Sequence, residues 1–563
     1  MSGAKRRSLF RIHAWIGLNL GFLLYVICLS GTIAVFSWEI NWAADPSARV
    51  DPPAADERRT ISWQTMYDNV AAGHPHAMVA YLFPSRGESW AARAAVAYSP
   101  RDFRWVLVDP YTGDLQGLRS GFNLVSFFRI FHKQLYVVPS IFGFHGTLIV
   151  GALAILLLVS SVTGVLSIKR WWRAFVTLRT GRSRRLLWSD IHRLTGVWPL
   201  IVTVVLGITG VWYLAENILI DTGVMDEEAR PARLSADTLK DRPPSQVPLD
   251  LDRAAGLAKA AYPELSIAMI ALPLRPGDPL IFTGQADALL VRDRANAVQM
   301  DPYTGEILGI RRAEDLGAFD RWVETADPLH FGTFGGLTTQ ILWFVGGLML
   351  SAGILTGLYS AWLRLGQTAK AGRRGPLSAV AVALPSIVLL IVSIAGAALY
   401  GGGAMRLSQQ ENSITPLADT RLGPWAVQIA RLEPASSPPD VETVIVFFPE
   451  GHPNFRSVAI WAGDPQSPPD RPRVRRLADR IVGRIEKPGT DCSVPCTLNV
   501  AIEDWSGQRH SVSLGPDAAA RDIAPIKLPV ASGLRAGEIV VMATFLFCIV
   551  APLYGWIRLQ FRR

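Results

Sequence analysis

The stretch Lys5–Ser37, KRRSLFRIHAWIGLNLGFLLYVICLSGTIAVFS, decides the fold class. It opens on Lys5, Arg6, Arg7 and Arg11 and then runs from Ala14 to Ser37 without a charge. About 20 apolar residues suffice to cross a hydrocarbon core. A cleaved signal peptide shares the basic opening. This run, however, outlasts an h-region, and no small-x-small site follows it cleanly, so it reads as a retained helix.

Five more such stretches follow: Ile141–Ile168, Leu194–Ala215, Phe331–Leu363, Pro376–Met405 and Ile539–Ile557. They account for a chain of 563 residues that is 50% hydrophobic with 18 Trp. The expected class is a polytopic α-helical membrane protein, with helices at about 12–37, 141–168, 192–215, 336–363, 376–400 and 537–557.

Basic residues near helix ends orient such a chain. The N-terminus, the loop after the second segment (Lys169 to Arg193), the loop after the fourth (Arg364 to Arg374) and the tail (Arg558, Arg562, Arg563) hold 19 Lys and Arg against one acid, Asp190. The remaining 37 basic and 46 acidic residues carry −9, which leaves the stated +9 overall. Both termini are therefore expected in the cytoplasm of a bacterial inner membrane. The basic pI reports topology and points to no nucleic-acid partner. Three loops, 38–140, 216–335 and 406–534, are expected in the periplasm. The inside loops are too short for a nucleotide or flavin domain.

Two kinds of repeat divide the chain. Asp109-Pro-Tyr-Thr-Gly-Asp-Leu-Gln-Gly117 recurs as Asp301-Pro-Tyr-Thr-Gly-Glu-Ile-Leu-Gly309, and each copy reads as the turn of a β-hairpin without chemistry of its own. His13 is followed by Gly17, and 18 residues on by Gly31 after Ser30; His192 is followed by Gly196, and 18 residues on by Gly210 after Thr209. The second and fourth segments both end in Thr-Gly, at Thr163-Gly164 and Thr356-Gly357. Residues 1–175 and 185–365 thus read as two parallel copies of one unit (helix, loop with hairpin, helix) about an axis along the membrane normal. Residues 376–563 form an extension: two helices holding a β-rich domain at 406–534, with strands at Val441–Phe448 and Ser457–Trp461. Cys492 and Cys496 within it are expected to form a disulfide in the oxidising periplasm, whereas Cys28 and Cys548 read as apolar packing.

Of nine histidines, five lie at or near helix ends. A lone histidine there is most simply an interfacial side chain. Matched positions alter that balance. His13 and His192 would face one another across the axis, as a bis-His b-type haem requires. Gly17 and Gly21 on the His13 face, with Gly196 beside His192, would clear room for a porphyrin, or else serve small-xxx-small helix packing. On the outer side His330 and His132 precede segments four and two, offset by five residues when the Thr-Gly ends are matched. His145 is the alternative to His132. Without a Cys-x-x-Cys-His motif, covalent c-type haem is excluded.

Arg11-Ile-His13-Ala-Trp-Ile-Gly17, Ser189-Asp-Ile-His192-Arg-Leu-Thr-Gly196, the two Asp-Pro-Tyr-Thr-Gly hairpins and Asp327-Pro-Leu-His330-Phe-Gly332-Thr-Phe-Gly335-Gly336 together resemble the PepSY-associated transmembrane family over about residues 1–365. The resemblance implies α+β PepSY-type loops in the periplasm and two haem b groups. The ligands it implies are His13, His192 and His330, with His132 or His145 completing the set. It also implies reduction of a ferric siderophore or other periplasmic ferric complex, with electrons from a cytoplasmic or quinol donor. The competing expectation is a non-catalytic membrane-anchored binding or regulatory protein. A transporter is disfavoured because the segments lack intramembrane acids.

Overall fold

The computed structural model describes residues 2–99, 102–137, 146–180, 183–225, 234–235, 238, 248–275, 277–369, 377–409, 413–433, 441–449, 455–466, 474–476, 480–486, 497–515 and 526–561. His145, Cys492 and Cys496 lie outside them.

The first charge-free run is not one helix. It forms α1 (Gly3–Asn19) and α2 (Gly21–Val35), which meet at 71°. The break falls at Leu20, where Asn19 Nδ2 donates to the Trp15 carbonyl at 2.7 Å from the last turn of α1. Beside it, Gly21 lies so close to Leu358 that a Cβ would meet Cδ2 at 3.2 Å. Next come α3 (Ser37–Ala44), α4 (Trp63–Gly73), strands β1 (Met78–Phe83), β2 (Ala92–Ser99), β3 (Asp102–Val108) and β4 (Leu115–Ser120), the short helix α5 (Leu124–Gln134) and the apolar α6 (Thr147–Ser167).

The second passage repeats this order. Helix α7 (Arg184–Val197) gives way at Trp198-Pro199 to α8 (Leu200–Asp221). The membrane-crossing stretch thus begins at Leu200, later than 192, because Pro199 cannot continue the ladder of α7. Then follow α9 (Leu251–Ala261), β5 (Ser266–Ala271), β6 (Leu280–Gln285), β7 (Asn296–Met300), β8 (Ile307–Arg311), α10 (Ala318–Phe331) and α11 (Gly336–Ala369). Gly332, at φ +69, closes α10 and lets the chain turn past Trp343, whose ring would lie 2.5 Å from an added Cβ.

The eight strands form one antiparallel sheet in the order β4-β3-β2-β1-β5-β6-β7-β8. The halves join where Tyr81 and Leu82 of β1 pair with Ala271 and Ile270 of β5. Helices α4 and α9 share one apolar core with it, including Met66, Val70, Ala254, Ala258, Phe282 and Val298. They also cap one another: Asp252 Oδ1 accepts from Trp63 N at 2.9 Å, and Gln64 Oε1 accepts from Leu251 N at 2.8 Å. Both Asp-Pro-Tyr-Thr-Gly stretches turn hairpins, β3–β4 and β7–β8. In each the aspartate accepts from the backbone two residues on, Asp109 from Tyr111 N and Asp301 from Tyr303 N, both at 2.8 Å.

The extension begins with α12 (Leu377–Gln409) and ends with α13 (Ala536–Phe561). Between them β9 (Ser413–Leu422), β10 (Trp425–Glu433), β11 (Val441–Phe447), β12 (Ser457–Ala462), β13 (Val474–Arg476), β14 (Arg480–Glu486), β15 (Leu498–Glu503), β16 (Arg509–Leu514) and β17 (Ile526–Lys527) make a six-stranded and a three-stranded sheet. The two sheets share one core. The extension leans on the first half of the chain. Arg104 donates to the Pro529 carbonyl at 2.6 Å, and Arg119, itself buried, pairs with Asp45 and Glu538.

Among the described residues, four helices are long and apolar enough to cross a membrane: Thr147–Ser167, Leu200–Asp221, Thr333–Ala361 and Ala536–Tyr554. The bent pair α1–α2 makes a fifth. The expected segment near 376–405 lies within α12, one helix from Leu377 to Gln409.

Candidate functional site

The breaks at Leu20 and Pro199 each come seven residues after a histidine. They leave His13 and His192 on the short helices α1 and α7, set against the last turns of α6 and the middle of α11. His13 Nδ1 lies 2.9 Å from the Ser160 carbonyl oxygen, and His192 Nδ1 lies 2.8 Å from that of Gly353. These acceptors sit at matched places, each three residues before the Thr of a Thr-Gly pair. The glycines of those pairs make room for the rings: a Cβ on Gly164 would meet His13 at 3.0 Å, and one on Gly357 would meet His192 at 2.8 Å.

The two rings face one another with centroids 5.9 Å apart and planes 42° from parallel. Beside them, a Cβ on Gly17 or on Gly196 would meet nothing within 4 Å. Gly21 differs, since Leu358 fills the space next to it, so helix packing explains that residue. One acid organises this end: buried Asp190 accepts from Arg179 N, Nε and Nη2 and pairs with Arg193, fastening the basic loop to the helix that carries His192.

The second pair sits at the opposite ends of α2 and α8. His132 on α5 and His330 on α10 have centroids 5.9 Å apart and planes 40° from parallel, almost the values of the first pair. The five-residue offset is absorbed because each histidine rides on a short helix of its own, closed by a left-handed residue: Leu135 at φ 52 after α5 and Gly332 after α10. Helix α5 is held in place by an Asn123–Ser126 capping box and buries Phe127, Phe128 and Phe131.

His132 Nδ1 lies 3.0 Å from the Ile27 carbonyl oxygen and 3.4 Å from Ser30 Oγ. His330 Nδ1 lies 2.8 Å from Thr209 Oγ1. A Cβ on Gly31 would meet His132 at 2.5 Å. Burial lowers the proton affinity of both imidazoles; His330, further opposed by His132, is pushed down to about 3, so both stay neutral.

A cavity of about 400 Å³ opens around this second pair, within the range of cofactor pockets. Gly31, Gly151, Gly210 and Gly347 line it among apolar side chains, and Arg129, Lys133 and Arg292 stand at its polar part. A network that sequence reading missed braces His330. Tyr213 packs edge-on against it at 5.1 Å and donates to Asp327. Asp327 is paired to Arg292 at 3.1 Å, and Arg292 also holds buried Glu324 at 2.8 Å. The available signal was Asp327 itself, inside the same motif as His330.

In each pair the Nδ1–H is donated to a carbonyl or hydroxyl, which puts the Nε2 lone pair on offer and fixes the ring. The two pairs share one separation, 5.9 Å between ring centroids, so each could hold a metal-bearing group between its imidazoles. Elsewhere among the described residues, no group of three or more His, Cys, Asp or Glu is arranged to hold a metal ion.

The family description PepSY-associated TM region matches residues 10–364, so it takes in α1 through α11 and all four paired histidines. The chain belongs to the PepSY-associated TM family. It is a multi-pass membrane member with β-rich domains, and its extension lies beyond the family match. No curated protein matches the chain.

Proposed function

We propose that this PepSY-associated TM protein is an inner-membrane electron conduit carrying two b-type haems, one held by His13 and His192 and one by His132 and His330, and that it reduces ferric complexes in the periplasm. The observation that carries the reading is the recurrence of one geometry. Two histidine pairs have the same 5.9 Å separation and nearly the same tilt, on elements that recur in the same order. Residues 1–175 and 185–365 are then two copies about an axis along the membrane normal. The basic ends face the cytoplasm and the eight-stranded sheet faces the periplasm.

The protein's part in this chemistry is positional. Backbone carbonyls of Ser160, Gly353 and Ile27 and the hydroxyl of Thr209 hold the imidazoles in place through Nδ1. The open space beside Gly17 and Gly196 and the glycine-lined outer cavity leave room for a planar group. Bound haem would supply one-electron transfer, so that no side chain need act as acid or base. Weaker chelation of ferrous iron would then release it. A purely binding role for the sheet would leave the two histidine pairs without a purpose.

The test is the absorption spectrum of the purified protein, with haem quantified per chain. Two b-type haems are expected, and His13→Ala and His192→Ala should each halve haem content and leave the same residual spectrum. His330→Ala and His132→Ala should remove the other half and abolish reduction of an external ferric chelate. Protein purified from haem-replete cells without haem would end this reading.

A further inference from the structure

Three guanidinium groups gather around one indole just beyond the outer histidine pair. Arg93 of β2 lies 4.1 Å from the Trp38 ring centroid, Arg86 of the β1–β2 loop 5.2 Å and Arg129 of α5 6.0 Å. Trp90, Phe83 and Trp105 extend the aromatic surface: Arg86 lies 5.6 Å from the first, and Arg93 lies 5.1 and 5.6 Å from the other two. Arg129 also stacks 5.2 Å from Phe331, the neighbour of His330, and it precedes His132 by one helical turn while lining the same cavity.

The arrangement is electrostatically incomplete. Among the described residues no acid pairs with any of the three arginines. Glu39 and Asp293 reach Arg86, and Asp327 reaches Arg129, only at longer range. Asp293 already accepts from Gln285, and Asp327 from Tyr213 and Arg292. The three cations weaken one another, and Arg93 is brought down to about 9, first by burial and then by Arg86 and Arg129. Cation–π contact contributes about 0.5–1 kcal/mol at exposed sites, which does not offset three like charges drawn together. Arg86 and Arg129 remain exposed and Arg93 half-buried, so a ligand can reach them.

We propose that Trp38, Arg86, Arg93 and Arg129 form a docking site for a multiply anionic, aromatic ferric chelate of the tris-catecholate class. The proposal rests on the conduit reading and names its substrate class. Three catecholates leave the ferric complex triply negative, whereas three uncharged-backbone hydroxamates leave it neutral. Guanidinium groups recognise oxyanions through directed charge-assisted hydrogen bonds, and flat indole and phenyl faces accept catechol rings. A chelate seated there touches Arg129 and Phe331, next to the outer histidines. Porphyrin carboxylates are the other anions within reach.

The experiment uses the full-length oxidised protein in neutral-lipid nanodiscs. Binding of the ferric complex of a synthetic hexadentate tris-catecholate is measured by calorimetry, beside that of a neutral cyclic ferric tris-hydroxamate, and haem per chain is measured throughout. Arg86→Gln and Arg93→Gln, neither of which lines the cavity around His132 and His330, should each weaken the catecholate by about tenfold, as loss of a charge-assisted contact does. The paired substitution should weaken it further, with hydroxamate binding and haem content unchanged. Trp38→Ala should weaken the catecholate with the salt dependence retained. Unchanged catecholate affinity in the double variant overturns the site. Loss of haem from Arg86→Gln or Arg93→Gln overturns it in favour of porphyrin carboxylates. Haem-free wild-type protein that still discriminates the two chelates would retain the anion site and refute the conduit alone.

Discussion

Thr209 Oγ1 lies 2.8 Å from His330 Nδ1 and donates its own proton to the Val205 carbonyl oxygen at 2.8 Å. With that proton committed, the hydroxyl oxygen can only accept from the imidazole. One residue on α8 therefore sets the tautomer of the proposed ligand His330 on α10. Such supporting bonds typically change metal affinity by about 10–100-fold. Thr209→Val keeps the volume and removes the acceptor. It should weaken retention of the outer haem to that degree, read by haem transfer to an apo-globin acceptor, while Thr209→Ser should behave as the parent.

Glycine-to-alanine changes should separate the two sites. Gly164→Ala and Gly357→Ala drive a methyl to 3.0 Å from His13 and 2.8 Å from His192, and Gly31→Ala drives one to 2.5 Å from His132. The first two should deplete the inner haem and the third the outer, seen as complementary losses in reduced-minus-oxidised spectra. Equal loss of the whole spectrum in all three would show that the pairs do not act as independent sites.

Glu538 fastens the extension to the first half. It is fully buried, pairs with Arg119 and accepts from Leu124 N at 3.2 Å and Arg535 N at 2.8 Å. Removing one partner of a buried ion pair costs about 3–5 kcal/mol because the other charge stays stranded. Glu538→Ala should lower the melting temperature in detergent markedly. Glu538→Gln, whose single amide oxygen can keep one of the two backbone bonds, should lower it less, and Arg119→Met combined with Glu538→Ala should recover part of the loss.

Topology can be read with reporter fusions. Fusions at Asp221 and Pro472 should report the periplasm, and one at Arg182 the cytoplasm. A cytoplasmic signal at Pro472 would mean that α12 does not cross.

The sequence carried the pairing of His13 with His192 because repeat spacing conveys depth along related helices, and both lie 18 residues from a matched glycine. It also carried both hairpins, whose Asp-Pro and Thr-Gly steps act locally. The bend at Leu20 was not read: the run from Ala14 to Ser37 carries no charge, and Asn19, the one polar residue at the break, is too weak a signal in an averaged hydropathy. The choice between His132 and His145 could not be made by counting, since five residues of slack are taken up by the separate helix α5. The arginine cluster escaped for another reason. Trp38, Arg86, Arg93 and Arg129 arrive from helix α3, the β1–β2 hairpin and helix α5, so only the packing of the two helices beside that hairpin brings them together.

The joint between β1 and β5 has a consequence for biosynthesis. Until residue 271 has been translated, β1 presents a bare hydrogen-bonding edge, and the α4 side of the first half lacks the cap that Asp252 supplies. Roughly 190 residues separate these strands, including two membrane-crossing stretches, so at about 5–20 residues per second the exposure lasts about 10–40 s. Throughout that interval the newly made half is an open template for strand addition by neighbours. Its maturation therefore depends on how fast the ribosome and insertion machinery deliver the second half, which makes a slow-codon stretch between the halves a liability that no property of the finished molecule would reveal.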